Sequence, residues 1–339
     1  MKRIILVLIV LVVKNGVLLA QDPFFSQYFM SPMTVNPAMI GKGTKATRVM
    51  ANHRSQWWGS GYSSSNFVTN TVSAELPFAK GFTDQSQLAL GVMALSDVSN
   101  NGILKNNYFS TGLAYNQNLN KEGTKKFGAG LMATFGSRAL DASKMLWQSQ
   151  FGSFGFNPAL PSGENLQLPK RSFFDIAAGV HYSSEGKKWN VNLGASVFHV
   201  AQADVSAYNA GNSLMRMRFN LNMDLAYKFN GGDELHLISL LTQYNTKSVL
   251  NFGGIYKYKI NGDHMISRVN AGLMSRMGDA YVGYFALEAP KWTLGVSYDF
   301  IRSDVQTSPN SVQSMEVSLC TFLTSKKKNI KAPSTQFQY

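Results

Sequence analysis

From Leu214 to Phe229 the chain alternates with a period of two. Met215, Met217, Phe219, Leu221, Met223, Leu225 and Tyr227 take the odd positions. Arg216, Arg218, Asn220, Asn222, Asp224 and Lys228 take the even ones, with only Ala226 between them. Period two predicts a strand with one apolar and one polar face. The run is more than twice a usual soluble strand length. Its polar face carries full charges where a packed core would admit none unpaired. One such strand fits an exposed face of a soluble β-sandwich. It equally fits the wall of a closed barrel, with lipid outside and water inside.

Repetition separates the two. Strand patterns recur near 44–57, 66–77, 86–96, 103–118, 126–136, 171–183, 188–200, 214–229, 234–244, 247–260, 265–276, 279–288, 291–302 and 311–323. That is about fourteen, an even number, as bacterial outer-membrane barrels have. Phe174, Ile176, Ala178, Val180 and Tyr182 share one face, opposite Asp175, Gly179 and His181. Trp292, Leu294, Val296, Tyr298 and Phe300 oppose Thr293, Gly295, Ser297 and Asp299. Tight hairpin connections at 183–187, 230–233, 261–264 and 288–291 occur at every second junction. With the N-terminus in the periplasm, all four fall on the periplasmic side, where such barrels keep short turns. The longest gap, 137–170, falls on the opposite side. The expected fold is therefore all-β, a transmembrane antiparallel β-barrel of outer-membrane type.

The flanks divide the rest. Residues 1–20 read as a cleaved signal peptide, with Lys2 and Arg3 at its basic end and Ile4 to Val13 as its apolar core. Residues 21–43 are interrupted by Pro23, Pro32 and Pro37 yet rich in Phe, Tyr and Met. Such a stretch cannot form a continuous strand or helix. It is too apolar for a solvated linker, so it should pack on the barrel's inner wall or at its periplasmic mouth. The barrel is assigned to 44–323 and a basic periplasmic tail to 324–339. In that tail Lys326, Lys327 and Lys328 either stay solvated or meet acidic partners or anionic headgroups of outer-membrane lipid.

Composition agrees with a barrel. Charged residues make up 15% of the chain, against roughly 25% in ordinary soluble domains. Past the N-terminus no uncharged apolar run approaches the roughly 18 residues of a spanning helix. The net charge is +13, or about +10 once Lys2, Arg3 and Lys14 of the leader are set aside. The basic residues are scattered, with no recognition helix and no zinc-finger spacing, so nucleic acid is not the expected partner. The single cysteine, Cys320, falls in an expected strand and reads as a small buried side chain.

The search for chemistry returns little. No His-x-x-x-His pair, Gly-x-Ser-x-Gly elbow or P-loop occurs, and no cofactor is indicated. Gly128 to Ala133 loosely matches a dinucleotide fingerprint, but inside a strand and with no helix after it. His53 and Ser55 share one strand face, yet residues two apart stand roughly 6–7 Å from each other. That is too far for a nucleophile and its base. Asp175, Asp224 and Asp299 read as lumen charges paired with Arg216, Arg218 or other basic residues. The long gap holds Trp147, Phe151, Phe154 and Phe156, which suits an ordered contact surface, a lid or a stabilising cap.

Certain blocks resemble a known family. Asp22-Pro23-Phe24-Phe25-Ser26-Gln27 is followed by Asn36-Pro37-Ala38 and Gly41. Arg54-Ser55-Gln56-Trp57 lies in the first strand. Leu294-Gly295-Val296-Ser297-Tyr298-Asp299-Phe300 and Glu316-Val317-Ser318-Leu319 lie in the closing pair. Together these are similar to the PorP/SprF family of outer-membrane proteins of the type IX secretion system of Bacteroidota. The resemblance implies a role in secretion or gliding without enzyme activity. It implies partners in secreted cargo, including adhesins, bearing a type IX C-terminal sorting domain. It also implies periplasmic ring or linker components of PorK/PorN and PorE type. The tail ending in Phe337-Gln338-Tyr339 departs from the family, whose members often stop soon after the last strand. A passive or substrate-specific diffusion pore is the competing expectation. A lipid-modifying enzyme using His53 and Ser55 is the third.

Overall fold

The computed structural model describes residues 22–58, 66–83, 85–153, 155–163, 170–206, 213–245, 247–262, 264–302 and 313–323. The expected leader 1–20, the tail with Lys326, Lys327 and Lys328, and Phe154 lie outside the described residues. Among the described residues sixteen strands follow one another: β1 (Thr47–Trp58), β2 (Phe67–Lys80), β3 (Ser86–Ser99), β4 (Leu104–Asn118), β5 (Lys125–Leu140), β6 (Phe151–Gly152), β7 (Gly155–Phe156), β8 (Arg171–Glu185), β9 (Trp189–Phe198), β10 (Arg218–Lys228), β11 (Glu234–Tyr244), β12 (Lys247–Lys259), β13 (Arg268–Arg276), β14 (Ala280–Glu288), β15 (Trp292–Ile301) and β16 (Gln313–Leu323). Fourteen of them form one closed antiparallel barrel, and β6–β7 is a separate small hairpin in the long connection after β5. Barrel neighbours follow chain order, and β16 closes on β1 with Arg54 directly opposite Glu316. Closure leaves no unpaired edge, which is what a sheet in lipid requires. Among the described residues no helix is long and apolar enough to cross a membrane.

The alternation points outward as expected. On β10 Phe219 and Leu221 are 50% and 54% exposed, whereas Arg218 and Asp224 are 7% and 2% exposed. The expected strand 214–229 is shorter at its start. Leu214 only bridges Asp204, and Met215 turns inward to pack with Phe173 and Val205. The tight connections expected at four junctions all lie at one end of the barrel, joining β8–β9, β10–β11, β12–β13 and β14–β15. The connection 141–170 lies at the other end. Short connections occur there too, at 245–246 and 277–279. Brevity alone therefore does not mark a side, and the absence of long connections at the tight-turn end does.

The lumen is not simply a polar, watery channel. Ile238, Leu240, Ile255, Met274, Val282 and Tyr284 also face inward and are buried. They are apolar because something apolar packs on them. Tyr28, Phe29, Met30, Val35 and Met39 of the opening segment belong to the same cluster. Met33 and Ile40 join a second cluster with Ala89, Met93, Ala114 and Met132.

Candidate functional site

Prolines shape the opening segment. It is built of three single 3₁₀ turns, Tyr28–Met30, Pro32–Thr34 and Pro37–Met39. Proline begins two of them, where its missing N–H costs nothing. Asn36 caps the third, its side chain accepting from the Ala38 N–H at 2.9 Å. Residues 22–43 run inside the barrel from one end to the other. Asp22 lies at the long-loop end, where it meets Arg218 at the start of β10. Gly41 lies toward the tight-turn end, where its N–H donates to Glu75. The chain then turns into β1, which starts at the tight-turn end.

Three polar clamps hold the segment. The first gathers Ser26 and Gln27 with charges from four strands. The Ser26 and Gln27 N–H groups donate to the two Glu316 oxygens at 2.8 and 3.0 Å. Arg54 spans Asp299 at 2.8 Å and Glu316 at 3.1 Å, and Arg276 meets Asp299 at 3.0 Å. The Phe24 ring lies under both guanidinium groups, 5.1 Å from Arg54 and 4.7 Å from Arg276. Arg276 also meets Asp279 through its Nε, so two guanidinium groups face three carboxylates, and both Glu316 oxygens accept hydrogen bonds. Buried charges are tolerable only when paired and hydrogen-bonded in this way; of this clamp's charged groups the Arg54 Nε alone has no hydrogen-bond partner among the described residues.

The second clamp holds Asp22. Arg218 contacts it at 2.9 Å and donates to the Thr34 carbonyl at 3.0 Å. His199, just beyond the end of β9, links Asp22 through Nε2 to Asp175 through Nδ1. Burial alone would raise the Asp22 pKa, but His199 and Arg218 hold it well below the usual carboxylate range. Burial would likewise lower His199, but Asp22 and Asp175 outweigh it and raise the imidazole to about 9. The third clamp pairs Arg48 with Glu75 at 2.6 Å, and Glu75 also accepts the Gly41 N–H at 2.8 Å.

Close approach completes the fit. The Asn36 amide donates to the Val180 carbonyl at 3.0 Å. A Cβ on Gly179 would come within 2.0 Å of the Asn36 Oδ1, and one on Gly130 within 2.5 Å of the Pro37 backbone. The loose dinucleotide match at 128–133 is thus explained by small wall residues under Pro37. Gly295 plays the same part under Gln27.

The motif residues do not all converge. Asp22, Ser26, Gln27, Asn36, Gly41, Arg54, Gly295 and Asp299 meet in the lumen as described. Phe25, Pro37 and Ala38 are buried with them, and Pro23 sits beside the second clamp. Tyr298 faces outward, its ring 4.8 Å from that of Phe300. Gln56 is half-buried, and Trp57 has a left-handed backbone where the β1–β16 register slips. At the long-loop end Phe151 and Phe156 stand exposed with ring centroids 5.4 Å apart, and Trp147 is half-buried. His53 and Ser55 are not in the lumen; His53 is exposed and bonds Asn70 at 2.7 Å. The acids pair, but not with Arg216. Asp175 takes His199, Asp224 takes His236 at 2.9 Å, and Asp299 takes Arg54 and Arg276. Phe24, Arg48, Glu75, His199 and Arg276 were not among the expected site residues. Arg48 shares the inward face of β1 with Arg54, a signal the sequence did carry.

Known structures share this fold. The Pseudomonas putida toluene transporter TodX is 11% identical, with a TM-score of 0.53, covering 86% of this chain and 93% of its own. The Ralstonia pickettii toluene transporter TbuX is 10% identical, with a TM-score of 0.52, covering 86% and 94%. The CymD monoaromatic hydrocarbon channel is 11% identical, with a TM-score of 0.50, covering 87% and 93%. At such identities the likeness concerns fold alone. No curated protein matches the chain. The family model described as type IX secretion system membrane protein PorP/SprF matches residues 17–320. The chain therefore belongs to the PorP/SprF family of type IX secretion system membrane proteins, as a barrel of the Gram-negative outer membrane.

Proposed function

We propose that the protein is a closed docking platform of the secretion or gliding machinery and not a conduit. The observation that carries this reading is the clamp of Ser26 and Gln27 by Glu316, Asp299 and Arg54. It ties an apolar segment across the lumen to both sides of the barrel seam. A barrel of this strand number is in any case too narrow to pass a folded protein. Cargo bearing a type IX sorting domain, such as an adhesin, would then be held at the long-loop end. Trp147, Phe151 and Phe156 offer an aromatic surface there. The tight turns, and the tail with Lys326, Lys327 and Lys328, would face the periplasmic ring or linker components. Replacing Phe151 and Phe156 by Ser tests the cargo side. Cargo should no longer copurify with the variant while the barrel still folds; full retention would remove the loop from this role.

A second reading, a pore or small-molecule transporter, is favoured by the structural likeness to the TodX and TbuX toluene transporters and the CymD hydrocarbon channel. It requires that the opening segment leave a path, and substrate uptake by the intact barrel would support it.

A further inference from the structure

At the tight-turn end the lumen widens into a cavity of about 590 Å³. It lies beneath the end of the opening segment, Lys42 to Lys45, and against the ends of β2, β3, β4, β5 and β8. This volume is within the range that takes a ligand of several groups. Four lysines line it, Lys42, Lys45, Lys80 and Lys126, and none of the described lining residues is acidic. Lys126 is paired with Glu185 at 3.0 Å, but both are about a third exposed, so the pair is weak. Asp84, the acid of the connection 81–85, lies outside the described residues. Several ammonium groups in one concavity concentrate positive potential far more than they would on a flat surface.

A second observation concerns His181. It lines the same cavity and is 3% exposed. Its Nε2 faces the Asn116 Oδ1 at 2.9 Å. The Asn116 amide nitrogen donates to the Ile40 carbonyl, so Oδ1 accepts and Nε2 carries the proton. Nδ1 is left a bare acceptor, buried and without a hydrogen-bond partner among the described residues. Leaving such an atom unmatched is unfavourable, so a donor reaching it would add to binding. A peptide N–H would satisfy it; a simple anion would not.

We infer that this cavity binds an acidic peptide segment of a periplasmic partner, its carboxylates against Lys45, Lys80 and Lys126 and a backbone N–H on His181. The inference rests on the docking reading above and names the chemistry of one partner. A lipid headgroup is the poorer occupant, because His181, Asn116 and Gln87 are inside the strand wall and headgroups stand outside it. Burial pushes the Lys42 pKa down to about 7, a shift that a carboxylate beside it would reverse.

The test uses the full mature barrel in uncharged detergent and a fluorescein-labelled oligoglutamate peptide, read by anisotropy. The peptide should bind, and an oligolysine peptide should not. The combined variant Lys45→Gln, Lys80→Gln, Lys126→Gln should weaken binding about tenfold or more, since each charge adds to the attraction. His181→Phe, which cannot accept a hydrogen bond, should also weaken it. Changing Lys326, Lys327 and Lys328 to Gln should alter binding by less than about twofold, because the site is assigned to Lys45, Lys80 and Lys126. Heat-modifiable mobility confirms that each variant is folded. Unchanged binding in the triple lysine variant overturns the site. So does loss of binding in the tail variant, or equal displacement by glycerol phosphate, which would mark a phosphate site. A barrel that binds the peptide yet conducts ions would overturn the closed lumen and leave this site standing. A silent barrel that binds nothing does the reverse.

Discussion

Removing the Arg54 guanidinium would leave Asp299 and Glu316 buried with only Arg276, itself shared with Asp279, to offset them. Arg54 is 1% exposed, so its charge meets the two carboxylates directly and not through solvent. Breaking a buried pair in this way costs about 3–5 kcal/mol. Arg54→Ala should therefore lower the unfolding midpoint strongly, and Arg54→Lys should recover only part, because an ammonium cannot fork to two carboxylates. A midpoint unchanged by Arg54→Ala would remove the first clamp from the stability of the fold. The second clamp predicts a pH dependence. His199 is raised from 6.5 to about 9, so its contribution is complete below pH 6.5 and fades as the pH climbs through 9. Asp22 is lowered from 3.8, so its contribution is complete above that value and fades only in stronger acid. The segment should be best protected between those limits and easier to cleave by protease above pH 9. His199→Gln should flatten the alkaline limb; an unaltered profile would assign the dependence elsewhere.

Among elements, the strands were readable and the opening segment was only half so. Alternation in β8, β10 and β15 gave their outward faces directly, because lipid and lumen impose opposite chemistry on successive residues. In β11, Leu235 to Leu241 is nearly continuous in apolar residues, since the segment's own Met and Tyr side chains lie against its inner face. Alternation fades there for a physical reason. Proline and aromatic content showed that residues 21–43 must pack, but not their path. That path is set by contacts with residues far along the chain, such as the Ser26 bond to Glu316. The pairing of Arg54 with Glu316 becomes visible only when β16 is laid against β1. Asp22 at the long-loop end was the surprise, since nothing local marks how far a buried segment travels. The glycines make this element testable. Gly130→Val should crowd the Pro37 backbone, and overpacking costs about 1–3 kcal/mol. The segment should loosen and become protease-sensitive while the barrel, closed by its own ladder, stays folded. Equal protection in wild type and variant would mean that the segment packs elsewhere.

For the molecule as a whole, the closed sheet and the clamped segment form one unit, with its apolar core inside the lumen and a second apolar surface facing lipid. The net charge of +13 resides in a chain whose lumen charges are largely paired. The closed-platform reading depends on whether the lumen is shut. Single-channel conductance of the purified barrel, with and without residues 21–43, answers this directly. A closed platform predicts silence from the intact protein and steady current once the segment is deleted. Steady current from the intact protein would contradict it and bring the pore reading forward.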